Sequence, residues 1–171
     1  MNLTASRRTY MLLAIVAVIF ALSFFLPLAK EIGLIVDVLI AVIFFIDYQL
    51  TPRPWLIGAS RECQERLSIG RTNEVVLTVT NKSTSDLQLR IRDDFPATLA
   101  SNVEEFDFLL KAGDQSMLKY ELLPKRRGLY KFGDIHIRYK SFLGMFHREV
   151  VIEAKRETKV YSDLKALYDL S

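Results

Sequence analysis

Two apolar runs lie close together at the start of the chain, and they restrict its fold more than any other feature. Residues 11–29 carry no charged side chain, and residues 32–50 carry two, Asp37 and Asp47. A helix of such length measures about 28 Å, which suits a bilayer hydrocarbon core of about 30 Å. We therefore expect a transmembrane helical hairpin over residues 10–50.

A cleavable signal peptide is the alternative for the first run. The apolar part of a signal peptide usually has about 7 to 15 residues and precedes a cleavage site of small residues. Here the run is longer, and the second run follows after Lys30 and Glu31 alone. These mismatches favour two membrane spans.

Basic residues near the two runs predict their orientation, because Lys and Arg are enriched on the cytoplasmic side of membrane spans. They precede the first run and follow the second, and one lies in the link: Arg7, Arg8, Arg53, Arg61 and Lys30. We expect residues 1–9 to be a cytoplasmic N-terminus and the hairpin tip to lie outside. The predicted location is the cell inner (plasma) membrane.

Asp37 is the costly residue of the second run, since a carboxylate near the centre of a span costs about 2.5 to 3.5 kcal/mol. A turn at Lys30 would bring Ser23 to a similar depth, and the sequence predicts a hydrogen bond between Ser23 and Asp37. Alternatively, Asp37 serves a small oligomeric membrane transporter or enzyme subunit, although proton relays usually need several ionisable groups. Asp47 is expected to reach water near the inner interface.

Beyond the apolar runs, apolar and polar residues alternate with the period of two that is typical of strands. The predicted strands cover residues 62–68, 74–80, 87–92, 106–110, 117–122, 135–140 and 148–154. Turn residues separate them, and no long amphipathic helix intervenes. We expect an all-β antiparallel sandwich of immunoglobulin-like type over residues 55–161. Residues 162–171 are expected to begin a short C-terminal helix that leads to a region beyond this chain.

Three short elements in the second half of the chain form a specific series. They are LPKRRGLYKFGD at residues 123–134, SFLGMF at 141–146 and VYSDL at 160–164. The series resembles a bacterial family catalogued as domain of unknown function fifty-eight, and the two apolar runs and the LSIG opening at residues 67–70 are similar as well. Met145 and Ser162 depart from the family pattern, which has leucine and proline there.

The resemblance implies a partner and a role. Members of that family are longer than this chain and carry a C-terminal region similar to von Willebrand factor A domains. They are often encoded beside MoxR-type AAA+ ATPases. The resemblance thus implies an N-terminal part that acts as a membrane-anchored, non-catalytic adaptor or scaffold. It would work with such an ATPase in the assembly or maturation of other proteins.

Basic residues are concentrated between residues 125 and 140. They form either a docking surface for an acidic partner or the inner leaflet, or a structural turn set by Pro124 and Gly128 with Tyr130 and Phe132 packed inward. The candidate interaction patch comprises Lys125, Arg126, Arg127, Tyr130, Lys131, Phe142 and Met145.

Several other functions are disfavoured by the composition. A net charge of +3 on a membrane-tethered chain is weak for binding nucleic acid. The two histidines, His136 and His147, lack a nearby nucleophile motif or patterned carboxylates, so we expect no catalytic, metal or cofactor site. The single cysteine, Cys63, cannot form an internal disulfide. Asp93 and Asp94, followed by Phe and Pro, predict a turn.

Overall fold

The computed structural model describes residues 2–22, 27–64 and 66–161, which form two α-helices, one short 3-10 helix and twelve strands. The chain divides into two compact units. The first unit comprises Met1–Pro54 and Tyr139–Glu149, and the second comprises Trp55–Arg138 and Val150–Ser171.

Both α-helices belong to the first unit. Helix α1 covers Arg7–Leu22 and helix α2 covers Pro27–Leu50. Proline suits the first helical position, because its fixed φ is helical and its missing N–H is not needed there. The predicted link at Lys30 and Glu31 is therefore wrong, since both residues lie inside α2. In the described ranges, neither helix combines the length and the apolar character that crossing a bilayer requires.

The two helices approach closely at Gly33 of α2. A Cβ atom at this position would lie only 3.2 Å from the Ile19 side chain of α1, so glycine permits the close packing. Asp37 is exposed on the surface of α2. Ser23 lies outside the described residues, and its hydrogen bond with Asp37 stays a prediction.

A short strand precedes the helices in the first unit. Strand β1 (Asn2–Ala5) pairs antiparallel with the first residues of strand β11 (Phe146–Ile152), with Ala5 opposite Phe146. The sequence did not predict β1, because four residues are too few to show an alternating pattern.

The other strands lie wholly or partly in the second unit. Strands β10 and β11 each have residues in both units. The strands are β2 (Ile57–Cys63), β3 (Arg66–Ser68), β4 (Asn73–Asn81), β5 (Leu87–Asp93), β6 (Leu99–Ser101), β7 (Phe106–Leu110), β8 (Gln115–Pro124), β9 (Gly128–Phe132), β10 (Ile135–Lys140) and β12 (Arg156–Tyr161). The 3-10 helix Pro54–Leu56 precedes β2. The prediction of a single strand over residues 62–68 is wrong, because β2 ends at Cys63 and a separate strand, β3, begins at Arg66.

Most neighbouring strands are antiparallel. One sheet has the order β2-β4-β8-β6, and β11, β10, β5 and β7 are neighbours in a second sheet. A third has the order β3-β12-β9, where β12 pairs antiparallel with β9 but parallel with β3. The alternation in β4 and β5 buries one face of each strand: Val75, Leu77, Val79, Leu87, Leu89 and Ile91.

Aromatic contacts join the two larger sheets in the second unit. The Tyr120 ring of β8 lies 6.2 Å from the Phe106 ring of β7 and 5.8 Å from the Phe95 ring, measured between centroids. The predicted all-β sandwich with mainly antiparallel strands is confirmed. The predicted C-terminal helix at residues 162–171 lies outside the described residues.

Candidate functional site

The C-terminal end of α2 holds a buried carboxylate, Asp47. Its oxygens accept hydrogen bonds from the Ser141 hydroxyl (2.6 Å) and from the backbone N–H groups of Leu143 (2.6 Å) and Met145 (3.2 Å). A buried carboxylate is tolerable only when such donors replace its water. The expectation that Asp47 reaches water is therefore wrong, because the side chain is fully enclosed.

The three donors lie in the loop of residues 141–146 that joins β10 to β11. Gly144 has a φ of 76°, a conformation that glycine adopts without a steric penalty. The Ser141 hydroxyl also accepts the backbone N–H of Phe146 at 3.0 Å. The serine and glycine of the SFLGMF element thus shape a loop that fits the end of α2.

The end of α2 is capped by Arg148 of β11. The guanidinium donates to the carbonyl oxygens of Tyr48 (3.2 Å), Thr51 (3.4 Å) and Pro52 (3.1 Å), and it lies 4.7 Å from the centroid of the Tyr48 ring. A cation there is favourable because the C-terminal end of a helix carries partial negative charge. The Thr51 hydroxyl oxygen accepts the backbone N–H of Phe142 at 3.1 Å.

The N-terminal segment holds the same loop from the start of α1. The backbone N–H of Ser6 (3.0 Å) and the hydroxyl of Thr9 both donate to the carbonyl oxygen of Met145. The Arg8 guanidinium donates to the carbonyl oxygen of Leu143 at 3.2 Å. The loop is therefore fixed to the beginning of α1 and to the end of α2.

The loop divides its apolar side chains between core and surface. Met145 and Phe146 are each only 5% exposed, and the Phe146 ring lies 6.3 Å from the rings of Phe44 and Tyr48. Phe142 is 60% exposed and Leu143 is 41% exposed. Met145 is thus a core residue, and its prediction as part of an interaction patch is wrong. Phe142 keeps the exposure that such a role requires.

The remaining residues of the predicted patch belong to the second unit. Lys125, Arg126 and Arg127 are exposed in the turn between β8 and β9. Tyr130 is buried and its hydroxyl donates to the carbonyl oxygen of Arg126 at 2.8 Å, so its inward packing is confirmed and its surface role is wrong. Lys131 is exposed and forms a 3.0 Å ion pair with a neighbouring glutamate.

A buried ion pair lies inside the sandwich. Arg61 of β2 and Asp93 of β5 have side chains that are only 2% and 3% exposed, and Arg61 Nε donates to Asp93 Oδ2 at 2.8 Å. The Tyr120 hydroxyl also donates to Asp93. Burial, reinforced by the charge of Asp93, raises the pKa of the Tyr120 phenol. Asp93 is thus a core residue of β5 and not part of a turn, and Arg61 is not a surface cation.

Sequence reasoning missed this ion pair although one signal was available. Asp93 continues the alternation of Leu87, Leu89 and Ile91, so it occupies an inward position of β5 and needs a buried partner. Within the described ranges, His, Cys, Asp and Glu side chains form no group of three or more that could hold a metal ion.

Comparisons with known proteins define the fold and nothing finer. The sequence matches neither a protein-family model nor a curated protein. The segment from domain MG7 to the C-terminus of native alpha-2-macroglobulin from Escherichia coli is similar in structure, with a TM-score of 0.50 and 16% identity, and the similarity covers 66% of this chain and 17% of that one.

Two other solved structures show weaker similarity. For the CARDB domain of the PF1109 protein from Pyrococcus furiosus, the TM-score is 0.44 at 14% identity, over 61% of this chain and 87% of that one. For the cohesin module of a Clostridium perfringens family 33 glycoside hydrolase, the TM-score is 0.45 at 13% identity, over 63% of this chain and 98% of that one. At such identities the likeness concerns the β-sandwich fold alone.

Proposed function

We propose that this chain is a membrane-anchored, non-catalytic adaptor whose helical hairpin is embedded in the cell inner membrane. The supporting observation is the apolar surface of α1 and α2. Large apolar side chains are exposed along both helices, among them Met11, Leu13, Ile15, Val18, Leu34, Ile35, Leu39 and Val42. Soluble monomers rarely present contiguous apolar surfaces of more than a few hundred Å² to water.

Embedding the hairpin in a membrane is favourable because it transfers these side chains out of water. Burying one Val, Leu or Ile side chain contributes about 1.5 to 3 kcal/mol. Lipid hydrocarbon supplies that burial for the exposed apolar side chains of the hairpin at once. The proposal that the hairpin spans the membrane, as opposed to entering one leaflet, rests on the two apolar runs of the sequence and not on the described helices, neither of which is long and apolar enough to cross it.

Cations support a cytoplasmic location for the sandwich. Arg7 and Arg8 lie at the beginning of α1, and Arg53 follows the end of α2, and all three are exposed. In the proposed hairpin, these residues belong to the open end, at the start of α1 and after the end of α2. Basic residues that flank membrane segments favour the cytoplasmic side.

Alkaline extraction of membranes tests the anchor. The native chain should stay in the membrane pellet after carbonate treatment. Ile35→Lys, Leu39→Lys and Val42→Lys together should release it or prevent insertion. The matched control replaces exposed apolar residues of the sandwich, Leu109→Lys and Met117→Lys, and should stay in the pellet. Release of the native chain by carbonate would contradict the proposal.

The adaptor role requires a partner, and the resemblance to the family of unknown function names a MoxR-type AAA+ ATPase and a von Willebrand factor A-like region. The exposed cations of the β8–β9 turn are the surface that we propose for the ATPase. We also propose that the chain belongs to this family and that its sandwich is of the immunoglobulin-like type.

Co-purification from membranes tests this partner. The charge reversals Arg126→Glu and Arg127→Glu together should abolish co-purification with the ATPase. Lys119→Glu, at a cation that pairs with Glu74 at 3.0 Å, should preserve it. Equal binding by both variants would refute the assignment of the β8–β9 turn.

One observation favours the alternative of an oligomeric transporter or enzyme subunit. Asp37 is exposed on a helix whose other exposed side chains are mostly apolar, and a carboxylate in lipid needs a partner. Reconstitution into vesicles separates the two functions. Ion flux that Asp37→Asn abolishes would support the transporter, whereas ATPase binding that Asp37→Asn leaves intact supports the adaptor.

A further inference from the structure

We infer that the loop of residues 141–146 is a second, interfacial membrane anchor, in which Phe142 and Leu143 enter the headgroup region of an anionic bilayer. This inference rests on the proposed function, because it requires the helical hairpin to lie in the same bilayer. Its occupant is the lipid surface, and no additional protein is involved.

The position of the loop relative to α2 is fixed by hydrogen bonds within the first unit. Asp47 lies in the last turn of α2, three residues before its end at Leu50. The carboxylate holds the N–H groups of Leu143 and Met145, and Thr51 holds the N–H of Phe142. The loop therefore lies at the end of the helix, where the chain leaves the bilayer.

The hydrogen bonds that fix the loop do not use the side chains of Phe142 and Leu143. Those side chains remain exposed, whereas the neighbouring Met145 and Phe146 are buried. Phe142 and Leu143 are apolar side chains on a loop that is held by hydrogen bonds, and the exposed Tyr48 in the last turn of α2 is an amphipathic residue of the type enriched at membrane interfaces.

One cation contacts the loop that carries this apolar pair, and two others are exposed in the same unit. Arg8 contacts the loop backbone through the carbonyl oxygen of Leu143, and Arg7 and Lys140 are exposed in the same unit. Anionic lipids of the cytoplasmic leaflet attract Lys and Arg close to the membrane surface. The combination of apolar insertion and cationic attraction is complementary to an anionic lipid surface.

Fluorescence quenching in vesicles tests the inference on the full chain. The native tryptophan is removed by Trp55→Phe, and single tryptophans are introduced by Phe142→Trp, Val38→Trp on α2, or Val151→Trp in the sandwich. All three positions are exposed. The chains are reconstituted in phosphatidylcholine–phosphatidylglycerol vesicles that contain lipids brominated at shallow or deep acyl positions.

The expected result is a loss of emission and a blue shift for Phe142→Trp with shallow bromines, deep quenching for Val38→Trp, and no quenching for Val151→Trp. Quenching at position 38 with none at position 142 would overturn the interfacial anchor and leave the proposed function intact. Absence of quenching at position 38 would refute membrane embedding of α2 itself, and the interfacial anchor with it.

Discussion

Asp47→Ala should release the loop of residues 141–146 from the end of α2. The substitution removes the acceptor of three hydrogen bonds, and a bond to a charged group contributes about 1.5 to 3 kcal/mol. It also leaves the N–H groups of Leu143 and Met145 without their acceptor. Because such terms are not additive for neighbouring bonds, we expect a total cost of about 3 to 5 kcal/mol, which is below the sum of the three bonds at its upper end.

Amide hydrogen exchange in lipid nanodiscs measures this cost directly. A loss of 1.4 kcal/mol corresponds to a tenfold fall in protection, so the amides of Leu143 and Met145 should exchange about 100 to 4,000 times faster in Asp47→Ala. Asp47→Asn should have a smaller effect, because one acceptor oxygen remains. Asp37→Asn, at an exposed carboxylate of the same helix, is the control. Unchanged protection of both amides in Asp47→Ala would refute the role of the carboxylate.

Three further predictions concern stability, measured by chemical denaturation. Asp93→Asn leaves the buried Arg61 cation without its counter-charge and should lower the free energy of unfolding by about 3 to 5 kcal/mol, whereas Lys119→Met at an exposed pair should change it by under about 1 kcal/mol. The raised pKa of Tyr120 favours the neutral phenol in the folded state. The contribution of Tyr120 to the free energy of unfolding should therefore be fully present below about pH 10 and decrease above it, and Tyr120→Phe should reduce that decrease. Gly144→Ala places a Cβ at a φ of 76° and should cost about 1 kcal/mol.

Each of these predictions has a result that would contradict it. Equal losses in Asp93→Asn and Lys119→Met would mean that burial does not govern the strength of the ion pair. If stability decreased above about pH 10 as much in Tyr120→Phe as in the native chain, other groups would be responsible for the loss. A Gly144→Ala variant as stable as the native chain would show that the loop tolerates another backbone conformation.

The sequence predicts the strands that bury one clear face and misses those that do not. Strands β7 and β10 lie at their predicted residues, and the inward positions of β5 follow its alternation. Strand β6 has three residues, too few for a pattern. Strand β12 is mostly polar, so its place between β3 and β9 depends on backbone pairing that periodicity does not encode.

The site around Asp47 was out of reach of local sequence reasoning. Asp47 and Ser141 are 94 residues apart, and nothing near either residue indicates the other. The SFLGMF element marked the loop but not its partner. In the sequence, Asp47 lies near the end of an apolar run, where an interfacial carboxylate would be expected. Only the tertiary fold brings the loop close enough for Asp47 to accept its hydrogen bonds.

Cysteine labelling across the membrane tests the central claim most directly. In a Cys63→Ser background, Lys30→Cys reports on the turn side of the hairpin and Lys125→Cys reports on the sandwich. Both positions are exposed. In intact bacterial cells with a permeable outer envelope, a membrane-impermeant maleimide should label residue 30 and should reach residue 125 only after the inner membrane is broken. Labelling of residue 125 in intact cells, or labelling of residue 30 only after lysis, would contradict a hairpin that spans the membrane with a cytoplasmic sandwich.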